Sequence, residues 1–242
     1  MGDDVFGFLT LNAMGSFAEY VCAHEDAALA LKPDNMTFEQ AAAVPLAAFT
    51  ALQGLRDTGH IQAGQKVLIN GASGGVGTFA VQIAKSFGVE VTGVCSTRNV
   101  EMVRSIGADH VIDYTREDFT NNGQQYDLTY CAVGNRTITD YQRALKPQGV
   151  CVIAGFTSMR LLFEHMILGP RRSKVGGQQV GIMPTMKPNK EDLVFISQLL
   201  ESGKVVPVID RSYPLSETAE AMRYLESLRA KGKVIITMAH NH

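Results

Sequence analysis

Apolar residues along this chain alternate between two spacings, and the changes of spacing mark out its elements. From Lys66 the order KVLINGASGGVGTFAVQIAKSFG opens on a β-forming run, Val67-Leu68-Ile69. It then places Val76, Phe79, Ala80, Ile83, Ala84 and Phe87 at helical intervals until Gly88. That pattern predicts strand, glycine turn and helix. Residues 90–95 repeat the strand pattern, Val100, Val103 and Ile106 predict a helix stopped by Gly107, and 111–113 a third strand, completing a βαβαβ unit of parallel strands. Further on the pattern predicts strands over 126–133, 149–154 and 178–183, and helices over 137–145 and 161–168. A last helix of this stretch is capped by Asn189 and buries Leu193, Ile196, Leu199 and Leu200.

Both ends of the chain read differently. Residues 5–11 are apolar but glycine-interrupted, and 15–21 alternate like a strand. Thr37 with Gln40 forms a capping box for a helix through Ala43, Pro45 breaks it, and a second helix over 46–58 stops at Gly59. At the other end, strands over 205–210 and 233–238 flank a helix capped by Ser216, with Ala221, Met222, Leu225 and Leu228 facing inward. These end pieces are expected to come together, giving three segments: 1–44 and 205–242 as a split β-rich substrate domain, and 45–204 as a nucleotide domain.

The chemistry sits in Gly71-Ala72-Ser73-Gly74-Gly75-Val76-Gly77. A turn this tight needs glycine for positive φ and for close approach of backbone to a pyrophosphate, and the following helix supplies N–H groups and a positive dipole end. An Asp or Glu about 20 residues on would bond the ribose diol of NAD. Ser96-Thr97-Arg98-Asn99 stands there instead. Two hydroxyls and a guanidinium suit a 2′-phosphate, so NADPH is expected over NADH.

Composition adds mainly exclusions. With 22 Lys and Arg against 24 Asp and Glu, the net charge of −2 offers no case for nucleic acid or anionic membrane. No apolar run approaches a membrane span, and the acidic opening Met1-Gly2-Asp3-Asp4 does not resemble a leader, so a cytoplasmic location is expected. Cys22, Cys95, Cys131 and Cys151 are dispersed without a Cys-x-x-Cys pair and read as buried free thiols; His240 and His242 read as a frayed tail and not a metal site.

GDDVFG, GSFAEYV, AAAVPLAAFTALQGL, VLINGASGGVGTFAVQIAK, GADHVIDY, LKPQG and GKVVPVIDRSYPLSETAEAM together resemble the medium-chain dehydrogenase/reductase superfamily, most closely its quinone oxidoreductase (zeta-crystallin-like) branch. The resemblance covers nearly the whole chain. It implies an α/β fold, a Rossmann doubly wound parallel sheet with a split, incomplete GroES-like substrate domain. It also implies NADPH-dependent hydride transfer to a quinone, enone or other activated carbonyl, and a homodimer paired around 178–183. Carried over residue by residue, Ala72, Ser73, Gly74, Gly75, Val76 and Gly77 cradle the pyrophosphate. Ser96, Thr97, Arg98 and Tyr114 surround the 2′-phosphate, and Thr50 faces the nicotinamide. Val133, Gly134, Gly155 and Phe156 line the path between, with Lys233 or Arg229 as a weaker phosphate contact. No catalytic acid can be named.

The chain departs from the family at two places. Zinc-dependent relatives carry a catalytic Cys shortly before the equivalent of Thr50, where this chain has Val44-Pro45-Leu46-Ala47-Ala48, and their structural zinc lobe is reduced here to a linker without cysteine. Zinc-independent chemistry is expected. The family's catalytic domain also normally begins well upstream of GDDVFG, which here starts at Gly2; the resemblance implies that most of the substrate domain is missing, as in a truncated reading frame, a fragment or a degraded relative. Three alternatives stand beside the reductase. A short-chain dehydrogenase shares the Gly71, Gly75, Gly77 spacing but needs a Tyr-x-x-x-Lys pair that no tyrosine here provides. A zinc alcohol dehydrogenase lacks its ligands. A non-catalytic NADPH-binding module differs from the enzyme only in turnover.

Overall fold

Strand β1 (Val5–Phe8) pairs antiparallel with β2 (Ala28–Leu31), burying Phe6 and Ala28. The computed structural model describes residues 2–9, 17–172, 174–175 and 177–238. The expected strand over 15–21 is not formed: Gly15 and Ser16 lie outside the described residues, and Phe17, Tyr20 and Val21 are exposed in irregular backbone, which pairs with no strand among those described. Cys22 beside them is exposed, unlike the other three cysteines. The capping box forms as expected at α1 (Phe38–Ala43). The Gln40 N–H donates to the Thr37 hydroxyl at 3.2 Å and the Thr37 N–H to Gln40 Oε1 at 2.9 Å. Helix α2 (Pro45–Gln53) widens into a π-type turn over Gly54–Thr58, where a side chain at Gly54 would overlap the Tyr130 ring.

Between them the two ends and the middle make two compact units, 1–49 with 187–242, and 50–186. The middle unit holds β3 (Lys66–Asn70), α3 (Gly75–Ser86), β4 (Glu90–Cys95), α4 (Val100–Ser105), β5 (His110–Asp113), β6 (Tyr126–Cys131), α5 (Ile138–Arg143), β7 (Leu145–Ile153), α6 (Met159–Arg172), β8 (Lys174–Val175) and β9 (Gln178–Ile182). The sheet order is β5-β4-β3-β6-β7-β9-β8, six parallel strands closed by the two-residue β8, which runs antiparallel to β9. This is the doubly wound order, with β3 at the centre and the direction of winding reversing between β3 and β6. Val67, Leu68 and Ile69 are fully buried, as a strand with helices on both faces demands.

Helix α5 ends before the predicted 145. Pro147 disfavours helical backbone at Lys146, and Gln148 takes a positive φ of 65°, so Leu145 already belongs to the strand. One side chain ties α3 to the strand edge: Lys85 Nζ donates to both Asp109 oxygens at 2.9 and 2.8 Å, and the Val91 N–H donates to the same carboxylate at 2.7 Å.

In the terminal unit α7 (Lys190–Glu201) buries the four residues expected, with Asn189 Oδ1 accepting from the Asp192 N–H at 2.7 Å. The sequence pattern placed this helix in the nucleotide domain. It groups instead with the chain ends, where Asn35 Nδ2 donates to the Leu200 carbonyl at 3.1 Å and Lys190 Nζ to that of Glu25 at 3.1 Å. The last strands are β10 (Ile209–Pro214), starting later than predicted, and β11 (Lys233–Thr237), parallel to it and flanking α8 (Thr218–Glu226). They form their own two-stranded sheet and do not extend that of β1 and β2. Of the four apolar residues expected to face inward, only Ala221 is buried, while Met222, Leu225 and Leu228 are exposed. Among the described residues no helix is long and apolar enough to cross a membrane.

Burial acts to raise the Asp109 pKa, but the Lys85 bond and the Val91 N–H outweigh it and hold the carboxyl below the usual range. A depressed folded pKa contributes stability above the unfolded carboxyl range that is lost as pH falls through the folded value. Asp109→Asn is therefore expected to lower the melting temperature at pH 7 by about 1–3 °C, discounted for the pair's partial exposure. The gap from the unmodified chain should close in a thermal-unfolding series carried to acid pH.

Candidate functional site

The carboxyl end of β3 is where backbone turns most sharply. Gly71 has φ +85°, and its N–H and that of Ala72 both donate to the Val94 carbonyl of β4, at 3.2 and 3.0 Å. The Gly74 N–H closes the turn on the Gly71 carbonyl at 3.1 Å. Gly74 is the N-cap of α3 in extended backbone and has no side chain to cap with. The first intrahelical bond runs from Thr78 to Gly74, which leaves the N–H groups of Gly75, Val76 and Gly77 without an intrahelical acceptor. Three such amides at the positive end of a twelve-residue helix form an anion cradle. The cradle depends on contact too close for a side chain: a Cβ at Gly77 would overlap the Gly71 carbonyl oxygen and lie 2.9 Å from Ala72 Cα. Ala72 is fully buried and packs behind the turn, so its part is support, while Ser73, Gly74, Gly75 and Val76 are half-buried.

At the end of β4, Ser96 is half-buried and Thr97 and Arg98 are exposed, as is Tyr114 at the end of β5. The Thr97 hydroxyl, expected to meet a phosphate, instead donates to Asp113 at 2.5 Å; Asp113 also accepts from the Thr115 hydroxyl and N–H, at 2.7 and 3.0 Å. These bonds, that of Thr97 foremost, hold the Asp113 carboxyl below the usual range. Burial first, and then Asp113, push the neighbouring Cys95 thiol up to about 11, against the pull of Arg104. Asn99, which the sequence pattern did not single out, is buried between the two halves of the site. Its Nδ2 donates to Ser73 Oγ at 3.0 Å and to Ser96 Oγ at 3.3 Å.

A third segment joins through Asn70, also missed. Its Nδ2 donates to the Val133 carbonyl at 2.7 Å and to Asn135 Oδ1 at 3.0 Å, tying the end of β6 to the glycine turn. The signal for it was one polar residue closing an otherwise apolar strand. The Val133 side chain fills the space beside Gly71. The Gly134 N–H donates to the Gly155 carbonyl at 2.6 Å, and Gly134 bridges to Phe156. The Phe156 ring lies 5.3 Å from that of buried His165, whose Nε2 is 3.1 Å from the Arg136 carbonyl. Thr50 is half-buried and accepts the Tyr130 hydroxyl on its carbonyl at 3.2 Å; burial raises the Tyr130 pKa. The turn, Ser96–Asn99 and Val133–Phe156 are thus brought together by hydrogen bonds and packing. Lys233 opens β11 in the other compact unit, with burial lowering its ammonium pKa.

The glycine cradle fits the pyrophosphate of a dinucleotide. A metal finds no such fit: among the described residues no three His, Cys, Asp or Glu side chains come together to hold one.

Gly77→Ala and Gly74→Ala separate the two roles of glycine in the turn. Gly77→Ala is expected to cost more than about 2 kcal/mol, because the three atoms nearest the new methyl are all backbone. Gly74→Ala, whose Cβ would lie 3.5 Å from the Gly71 oxygen at an ordinary φ of −86°, is expected to stay within about 1 kcal/mol. Chemical denaturation of the two variants checks both.

A family model described as zinc-binding dehydrogenase matches residues 106–236. A 2-methylene-furan-3-one reductase of Solanum lycopersicum is 37% identical over 97% of this chain, and an NADPH-dependent alkenal/one oxidoreductase of Arabidopsis thaliana, named chloroplastic, 35% identical over 97%. The chain spans 57% and 58% of the lengths of these two relatives. Among solved structures, the quinone oxidoreductase from Coxiella burnetii superposes with a TM-score of 0.83 at 30% identity, covering 98% of this chain and 72% of that one. With the sheet order and the glycine turn, these likenesses place the chain in the medium-chain dehydrogenase/reductase superfamily, in the zinc-binding dehydrogenase family and its quinone oxidoreductase-like branch.

Proposed function

We propose that this protein is an NADPH-dependent reductase that delivers hydride to a quinone, enone or other activated carbonyl compound without the help of zinc. The observation that carries the proposal is the cradle of Gly75, Val76 and Gly77 amides, beside which Asn70 ties the end of β3 to Val133 and Asn135 past the end of β6. Relatives named as NADPH-dependent alkenal/one and quinone oxidoreductases support the reaction class.

When bound, the cofactor supplies the hydride from nicotinamide C4. The chain's own residues bind and orient. The helix amides hold the pyrophosphate, Gly71 and Gly77 let the backbone approach it, and Val133, Gly134, Gly155 and Phe156 form the wall along which the ribose and nicotinamide lie. Ser96, Arg98 and Tyr114 meet the 2′-phosphate. Thr97 supports them from behind, its proton being given to Asp113. Thr50 faces the nicotinamide from α2. No proton donor is assigned among these side chains. A homodimer at the β9 end of the sheet belongs to the same proposal: β8 pairs only with Gln178 and Gln179, leaving the outer edge from Val180 to Ile182 without a strand partner among the described residues.

NADPH oxidation should proceed with a simple quinone or an enone as acceptor, unaffected by a chelator. Arg98→Ala should raise KM for NADPH about tenfold or more while leaving NADH kinetics unchanged. Saturable NADPH binding with no oxidation of any acceptor would instead establish the non-catalytic module. Light scattering that finds only monomer would remove the dimer.

A further inference from the structure

Asn99 is the buried centre of the 2′-phosphate side of the site. It is 4% exposed, both N–H groups of its amide are used, toward Ser73 Oγ at 3.0 Å and Ser96 Oγ at 3.3 Å, and its Oδ1 has no hydrogen-bond partner among the described residues. The opposite amide orientation is the poorer one. With the amide turned over, both serine hydroxyls would donate to the oxygen and the buried NH2 would be left with two donors unsatisfied in place of one acceptor. The observed orientation therefore sets the direction of both hydroxyls. Each serine oxygen accepts from Asn99, so its single O–H points away from the amide, and neither O–H has an acceptor among the described residues.

Two hydroxyls preset as donors suit a group that only accepts. A phosphate monoester offers acceptor oxygens alone. An unphosphorylated ribose diol must give its own protons to something, for which an Asp or Glu ordinarily serves. The nearby carboxylate, Asp113, already accepts three hydrogen bonds from Thr97 and Thr115. We propose that Asn99 is a positioning residue for cofactor choice, aiming the Ser73 and Ser96 hydroxyls so that both donate to a phosphate on the ribose 2′-oxygen. This rests on the NADPH-binding function proposed above.

The test uses the full chain, titrated with NADPH and with NADH by nucleotide fluorescence, for the unmodified protein, Asn99→Ala, Ser96→Ala, their double variant, and Ser73→Ala. Asn99→Ala and Ser96→Ala should each reduce the preference for NADPH about five- to tenfold, through weaker NADPH binding with NADH unchanged. The double variant should lose more than Ser96→Ala but little beyond Asn99→Ala, because Ser96 is one of the two hydroxyls whose aim is already lost with Asn99. Ser73→Ala should lower the same preference and, as a small change, carries the test if Asn99→Ala does not fold. Equal weakening of both nucleotides in Asn99→Ala, or losses that multiply in the double variant, would reduce Asn99 to a structural residue. An unchanged preference in Ser73→Ala would also overturn the proposal. Failure of the unmodified chain to bind either nucleotide is a different result, sinking the functional proposal itself and this inference with it.

Discussion

The central unit depends on how near the first turn of α3 comes to the backbone of the turn before it. At Gly77 there is room for a hydrogen and nothing larger, because the Gly71 carbonyl and Ala72 occupy the place of a side chain. That closeness stacks the start of α3 over the end of β3. Gly71 at positive φ reverses the chain so that its amide and that of Ala72 can share the Val94 carbonyl, and Gly74 caps the helix with nothing but backbone. Amides left unpaired by a helix start are costly when buried and useful when a ligand supplies the acceptor. The same few atoms therefore determine both the packing of α3 on β3 and the direction of the helix's first amides.

Around this point polar side chains do what apolar packing cannot: they fix loops in direction. Asn70 holds the end of β6, Asn99 holds Ser73 against Ser96, and Asp113 gathers Thr97 and Thr115. Each is a short side chain at or just past a strand end, where backbone polar groups have run out of ladder partners. The result is a rim whose hydroxyls and amides have set orientations.

Much of the middle unit was legible in the sequence because its signals are local. Strand, glycine turn and helix from Lys66 to Gly88 follow from β-branched residues, glycine and 3.6-residue spacing, and the capping box at Thr37 and the N-cap at Asn189 are local signals of the same kind. What was not legible depends on neighbours distant in sequence. Phe17, Tyr20 and Val21 alternate like a strand, yet alternation forms none without a second chain segment to pair with. Met222, Leu225 and Leu228 have helical spacing but are exposed, since spacing gives a face and not what covers it. Within the site, Thr97 appeared available to a ligand until Asp113, sixteen residues on, was seen to hold it. Asn99 reads in sequence as an ordinary helix-start residue, and only the fold brings it against Ser73.

In the proposed function, the amides after the glycine turn and the hydroxyls after β4 form one dinucleotide site. Amide shift perturbation of isotope-labelled protein titrated with NADP+ tests it most directly. Saturable shifts are expected at Gly75, Val76 and Gly77 and at Ser96 and Asn99, with smaller ones at Val133 and Gly134. Saturable shifts confined to other parts of the chain, with these residues unmoved, would contradict it.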